Sequence, residues 1–154
     1  MLERLLPRTA DNTYRGYKIA LWIYGVVVLW KMAIAAATIF NGRNTAIAAD
    51  GIPVNSFSQI GAQDFLSLQA ALGVALFILC AIAALVFFRY RALVPLMFVV
   101  LLLENLLRRL VYFLIPMIRV GSPVGTWVNV ALITLMLVGL ILSLLPARVR
   151  PQEA

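Results

Sequence analysis

Four apolar stretches dominate the chain, and each is long enough to cross a lipid bilayer. They lie at about residues 19–40, 65–88, 92–116 and 124–145 of the 154-residue sequence. A helix needs about 20 apolar residues to cross roughly 30 Å of hydrocarbon. With 64% hydrophobic and 12% charged residues, the chain has more apolar surface than a soluble fold of this length can bury. The sequence therefore predicts a membrane protein.

The stretches predict helices, because none of them alternates polar and apolar residues as the strands of a β-barrel do. A helix in lipid satisfies its own backbone hydrogen bonds. We therefore expect an all-α membrane protein, with a four-helix transmembrane bundle forming one domain over residues 19–148. A lead at 1–18 and a tail at 149–154 flank it. The first span is too long and too charged, at Lys31, for a cleaved leader.

Basic residues predict the orientation of the four spans. Eight of them fall on one side of the membrane if the chain crosses four times, against Arg43 and Arg119 in the loops on the other side. By the positive-inside rule, we expect both termini to be cytoplasmic. The expected location is a bacterial inner membrane. Topology thus accounts for the net charge of +7, and no nucleic-acid partner is expected. The eight residues are Arg4, Arg8, Arg15, Lys18, Arg89, Arg91, Arg148 and Arg150.

The connections predict how the spans pack. The longest, at about 41–64, is expected to be an external loop packed over the mouth of the bundle. Its dipeptide Asp50-Gly51 permits a small hairpin. The run at 56–59 has the spacing of a capping box, which predicts a helix start near Phe57. The other two connections are short, so spans 1–2, 2–3 and 3–4 should be antiparallel neighbours.

Small residues four positions apart favour close helix contacts in lipid. Ordinary membrane composition explains the same pattern equally well, because alanine is common in this chain. The pattern comprises Ala33 and Ala37 in span one, Ser67, Ala71 and Ala75 in span two, and Gly139 and Ser143 in span four.

Charged residues interrupt the third span, and ionisable groups inside a bilayer mark function or assembly. Lys31 and Glu104 each lie twelve residues past the start of their spans, which places both about 18 Å from the same boundary. A lone buried charge would neutralise, whereas a pair keeps both members ionised. We therefore expect Lys31 and Glu104 to meet inside the bundle. Arg108, one turn after Glu104, is a competing partner.

Further polar residues extend this pair to a candidate cluster. At about 100° per residue, the polar side chains of span three fan over roughly 140°, which is too wide for one ion pair. The cluster is either a satisfied network that fixes helix register or a water-filled cavity, open to the outside, for an anionic or zwitterionic ligand or a lipid headgroup. A third interpretation places the charges against a partner protein. The members are Lys31, Gln69, Glu104, Asn105, Arg108, Arg109, Tyr112 and Asn129.

Missing residue types limit the chemistry. The chain has no histidine and one cysteine, Cys80, so it lacks the commonest general base and metal ligand and cannot form an internal disulfide. Cys80 is expected to pack as a small apolar residue. No P-loop or nucleophile elbow occurs. We therefore predict no catalytic residue, no cofactor and no metal site.

Three classes of function follow, in this order. The first is a non-catalytic accessory, assembly or structural membrane protein, with an apolar surface and no continuous cavity. The second is a small transporter or a ligand- or lipid-binding protein, with an accessible cavity ending at Glu104, Arg108 and Arg109. The third is a lipid-modifying enzyme, for which Tyr112 is a further candidate. The expected partners are the lipid bilayer and either another membrane protein or a second copy of the chain.

Overall fold

Four long helices make up most of the protein in a computed structural model that describes residues 5, 7, 10–120 and 124–145. No strand occurs among these residues, so the all-α prediction is confirmed for them. The helices are α1 (Lys18–Phe40), α2 (Gln59–Arg89), α3 (Val94–Leu114) and α4 (Val124–Leu144).

Three of the helices, α1, α2 and α4, are long and apolar enough to cross a membrane. Helix α3 is as long as α4, with 21 residues, but it is less apolar because it carries Glu104, Arg108 and Arg109. Large apolar side chains cover much of the outer surface, among them Trp22 and Phe113, which are 77% and 82% exposed. An apolar surface of this extent belongs in lipid. These helices and this surface therefore fit an integral membrane protein.

Helix α2 begins earlier than the predicted span and is the longest, with 31 residues. Its N-cap is Ser58, whose Oγ accepts a hydrogen bond from the Gly61 amide at 3.1 Å. Ser56 instead donates to the Pro53 carbonyl at 2.8 Å. The start predicted near Phe57 is therefore two residues too early, because the cap is the second serine of the run.

Helix α1 packs most extensively against α2 and less extensively against α4, while α3 packs mainly against α4. Helices α2 and α3 contact each other much less, although the connection between them is short. The predicted neighbours 1–2 and 3–4 therefore pack closely, whereas the pair 2–3 is loosely packed. The α1–α4 contact was not predicted.

The main apolar core lies in the half of the bundle beside the α2–α3 turn. Tyr24 and Phe98 are fully buried there and meet edge to face, with ring centroids 5.2 Å apart. The Tyr24 hydroxyl donates to the Ala83 carbonyl at 2.9 Å. At Gly139 an added Cβ would lie 2.4 Å from Phe98 Cζ. The absence of a side chain at Gly139 therefore lets the Phe98 ring reach α4.

Of the three predicted small-residue spacings, the one in α4 is buried inside the bundle and the other two are exposed. Gly139 and Ser143 are buried in α4. The α1–α2 approach occurs instead at Gly73, where an added Cβ would lie 3.0 Å from Ile39 Cγ1. The remaining small residues of the pattern are exposed, and they are Ala33, Ala37, Ser67, Ala71 and Ala75.

Main-chain hydrogen bonds define two ends of the bundle. At the terminal end, which holds the residues before α1 and the end of α4, the Tyr17 amide donates to the Leu142 carbonyl at 3.2 Å. At the opposite loop end, the Val120 amide donates to the Gly51 carbonyl at 2.8 Å. The α1–α2 loop is therefore docked against the segment that follows α3.

The α1–α2 loop is compact and coiled, so the hairpin alternative is wrong. Residues Thr45–Ala49 form a π-helical turn, and Gly51 takes a left-handed conformation with φ 69°, which glycine adopts at little cost. The Ile52 amide donates to the Ala46 carbonyl at 2.9 Å. Ala46, Ile52 and Val54 are buried together, and this small cluster favours a folded loop over extended strands.

Candidate polar site

Glu104 binds two cations from two helices. Lys31 Nζ on α1 donates to Glu104 Oε2 at 2.8 Å, and Arg108 Nη2 donates to Glu104 Oε1. Glu104 therefore pairs with both of the cations that were predicted as its alternative partners. The Lys31 side chain is 4% exposed, that of Glu104 22% and that of Arg108 44%, so the three charges run from the dry interior toward the surface.

The Lys31–Glu104 ion pair accounts for a charge that would otherwise be costly. An ammonium or carboxylate loses its hydration energy when it is buried in a low-dielectric interior, and in an ion pair the mutual attraction offsets much of that loss. Because one carboxylate serves two cations, the group of three keeps a positive charge. That charge sits on the side of Arg108, which is the most exposed of the three.

Two asparagines continue the polar surface between α3 and α4. Asn105 is buried, and its Nδ2 makes a long hydrogen bond of 3.5 Å to Asn129 Oδ1. Asn129 Nδ2 in turn donates to the Gly125 carbonyl at 2.8 Å. At Gly125 an added Cβ would lie 2.7 Å from the Ala49 carbonyl oxygen, so glycine allows the α1–α2 loop to rest on the first turn of α4.

Two further arginines reach the same region. Arg109 Nη2 donates to the Thr126 carbonyl at 3.4 Å, while its Nε is buried without a partner among the described residues. The guanidinium of Arg119 stacks on the Tyr112 ring, with Cζ 5.4 Å from the ring centroid. Cation–π contact holds a guanidinium in place without using its N–H donors on the ring.

These side chains line a cavity of about 250 Å³ at the loop end, between α3, the first turns of α4 and the α1–α2 loop. We call it the loop-end cavity. Its uncharged polar wall consists of Asn105, Tyr112, Thr126 and Asn129. Its charged wall consists of Asp50, Arg108, Arg109 and Arg119.

Asp50 is the carboxylate of the cavity wall. Burial raises the pKa of Asp50, although Arg119 and Arg108 act in the opposite direction. No ion pair within 4 Å is formed by Asp50 with the described residues. The arginines of the cavity are therefore not neutralised by direct contact with the carboxylate.

A second, more open groove of about 610 Å³ lies elsewhere at the loop end, against the start of α2. Its basic residue is Arg43, whose Nη2 donates to Asn55 Oδ1 at 2.8 Å. Arg43 therefore has a neutral partner and belongs to a different surface from the three cavity arginines.

The structure brings together all the predicted cluster residues except Gln69. Lys31, Glu104 and Arg108 form the ion-paired group, and Arg108 also lines the cavity with Asn105, Arg109, Tyr112 and Asn129. Gln69 lies on α2, which does not line the cavity, and its Oε1 is buried without a partner among the described residues. The function of the cluster stays a prediction.

Two charged residues of the cavity were not predicted as site residues. Asp50 lies in the α1–α2 loop and Arg119 follows α3, so docking of one loop on the other is what brings them together. The sequence feature that could have indicated them as site residues is that each is one of the few charged residues in the predicted external loops. Because Asp50 and Arg119 lie far apart in the sequence, their proximity in the fold could not be predicted from it.

No family model matches the chain, and neither a search of curated proteins nor one of solved structures finds a match. Within the described residues, no three His, Cys, Asp or Glu side chains are grouped as they would be to hold a metal ion. The function is therefore argued from the chemistry of the loop-end cavity and the ion pairs beside it.

Proposed function

We propose that all four long helices span the bilayer and that the terminal end faces the cytoplasm of a bacterial cell. Helix α3 is about 31 Å long at 1.5 Å per residue, which matches the hydrocarbon thickness. Its carboxylate is satisfied by Lys31 and Arg108, which supports placing it in lipid. Arg15, Lys18 and the two arginines of the α2–α3 turn flank the terminal end. The other four basic residues of the topology prediction, Arg4, Arg8, Arg148 and Arg150, lie outside the described residues.

Reporter fusions test this topology. A reporter that is active only in the cytoplasm should work at the C-terminus and in the α2–α3 turn, and it should be silent in the loop at residues 53–58. An active reporter in that loop contradicts the orientation. A silent reporter at the C-terminus with an active one in the α2–α3 turn contradicts the four-span count, because it is the result expected if α1, α2 and α4 cross the bilayer and α3 does not. A silent reporter in the α2–α3 turn with an active one at the C-terminus contradicts the four-span count.

For activity, the geometry best supports a non-catalytic protein that binds a ligand from the outer side of the membrane, as a small transporter or a ligand- or lipid-binding protein does. The observation that carries this proposal is the loop-end cavity, which reaches Arg108 and Arg109. A cavity at these arginines is what distinguishes the ligand-binding class from the accessory class. Ligand binding therefore takes first place.

A structural role is the second candidate, and the Lys31–Glu104–Arg108 group favours it. A buried ion pair between α1 and α3 fixes the register of two helices that otherwise contact each other little. This role is compatible with ligand binding, because the ion pair adjoins the cavity through Arg108. If Glu104→Gln alone leaves both folding and binding at wild-type levels, neither role applies to this group.

Access to the cavity is tested by thiol labelling in intact cells. In a Cys80→Ala background, Thr126→Cys places a thiol in the cavity wall, and a membrane-impermeant reagent added outside should modify it. Leu132→Cys, buried in the core of the same helix, is the negative control. Asn55→Cys, exposed in the α1–α2 loop, is the positive control. If Asn55→Cys reacts and Thr126→Cys does not, the cavity is closed to the outside and the proposal fails.

A further inference from the structure

We propose that the loop-end cavity is a binding site for a phosphate group, either of an anionic lipid headgroup in the outer leaflet or of free phosphate. The inference rests on the proposed function, in that the cavity must open to the outer side. It adds the chemical class of the ligand.

The first argument is an excess of positive charge. The cavity and the ion-paired group beside it hold four cations, Lys31 and three arginines, against two carboxylates, Glu104 and Asp50. Glu104 is shared by two cations, and Asp50 has no direct ion pair with a described residue. Uncompensated charge near lipid is costly. A bound dianion or monoanion would supply the missing negative charge.

The second argument is the set of free hydrogen-bond donors. The buried Nε of Arg109 lacks a partner among the described residues, and its Nη2 makes a single long hydrogen bond of 3.4 Å. The guanidinium of Arg119 is stacked on Tyr112 and makes no ion pair with the described residues. Arginine presents its N–H groups as a planar fork that suits phosphate oxygens. The Asn105 and Asn129 amides add neutral polar groups to the wall.

The third argument is size and depth. A volume of about 250 Å³ lies below the roughly 300–1,000 Å³ of sites for drug-sized ligands, and it suits a phosphate group with part of a headgroup. Arg109 lies fifteen residues after Val94, about 22 Å along the axis of α3. If α3 spans, this places the Arg109 backbone in the outer half of the bilayer, from which a long arginine side chain can extend toward the outer headgroups.

Binding is measured on the full-length protein purified in a maltoside detergent, by calorimetric titration with two probes. The probes are inorganic phosphate and a soluble short-chain phosphatidylglycerol. Saturable binding of the phosphatidylglycerol alone identifies a lipid headgroup site, and comparable binding of inorganic phosphate identifies a free-phosphate site. Arg109→Gln and Arg119→Gln should each weaken binding at least tenfold, because each removes a charged hydrogen-bond donor.

Arg43→Gln is the matched control, because it removes an arginine at the same end of the bundle from a different surface. Its binding should equal that of the wild type. If Arg109→Gln fails to fold, Arg119→Gln decides the outcome, since Arg119 is exposed and lies outside the helices. Equal losses in Arg43→Gln and Arg119→Gln would indicate a general attraction to positive charge and overturn the site.

Failure of the inference differs from failure of the proposed function. If neither probe binds while Thr126→Cys reacts from outside, the cavity is open but is not a phosphate site. If neither probe binds and Thr126→Cys does not react, the open cavity itself is refuted.

Discussion

The two halves of the helical bundle have opposite interiors, although the same helices build both. Beside the terminal end, Tyr24 and Phe98 fill the centre, and Gly139 accommodates the Phe98 ring. Toward the loop end, the same α3 and α4 are separated by Asn105 and Asn129, with a cavity beyond them. Between α3 and α4, large apolar side chains therefore fill the terminal half, whereas polar side chains border a cavity in the loop half.

This difference teaches that residue size at facing positions decides where a helical bundle is solid and where it is hollow. Large rings opposite a glycine close the terminal half. Paired polar side chains of medium size leave the loop half open.

The largest effect is expected from breaking the ion pair of the loop half. Glu104→Gln leaves Lys31 buried without a counter-charge, and removal of one partner of a buried pair costs about 3–5 kcal/mol. Thermal unfolding in detergent, followed by circular dichroism, should show a large fall in midpoint. Combining Lys31→Met with Glu104→Gln should recover much of the loss. Arg108→Gln, which alters the more exposed pair, should cost no more than about 1 kcal/mol.

If the single Glu104→Gln variant is as stable as the wild type, the ion pair does not hold the loop half together. If the double variant is less stable than Glu104→Gln alone, Lys31 has a role apart from pairing with Glu104.

A smaller effect is expected from overfilling the terminal half. Gly139→Ala would place a Cβ 2.4 Å from Phe98 Cζ, and overpacking of this kind costs about 1–3 kcal/mol. Gly25→Ala is the control, because a Cβ there would meet Phe87 Cε2 at an ordinary 3.6 Å. The same unfolding assay should show a lower midpoint for Gly139→Ala and no loss for Gly25→Ala. Equal midpoints would mean that the Phe98 ring moves aside and the half is not tightly packed.

The smallest effect concerns Asp50 and acid. Because burial raises the pKa of Asp50, its ionised form destabilises the fold. That cost is complete above the folded-state pKa and disappears as the pH falls below the ordinary value of about 4. Asp50 lines the cavity with three arginines and Tyr112, so its negative charge is the one that opposes an anionic ligand there. Acidification should therefore raise the affinity for short-chain phosphatidylglycerol a few fold.

Asp50→Asn should bind with the higher affinity at neutral pH and lose this response to acid, while Asp64→Asn, exposed on α2, should behave as the wild type. An undiminished acid response in Asp50→Asn would assign the effect to another group.

The sequence was most informative about features that follow from local periodicity and depth. The helices were predicted because long apolar runs admit one structure in lipid. The Lys31–Glu104 contact was predicted because both residues lie at one depth, and the structure joins them at 2.8 Å. Asp50 and Arg119 were missed as site residues because only the docking of two loops brings them to the cavity. The alanine spacings were not informative, because alanine is common throughout this chain and the alanines of the pattern lie on exposed surfaces.

The contact between Phe98 and Gly139 also imposes an order on biosynthesis. Phe98 leaves the ribosome well before Gly139, and Tyr17 is made long before Leu142, whose carbonyl accepts its amide hydrogen bond. Until α4 has been made, the aromatic face of the first three helices lacks the surface of this chain that covers it in the fold. The core described above therefore becomes complete only when α4 packs against them, and a chain arrested before α4 would leave that face uncovered.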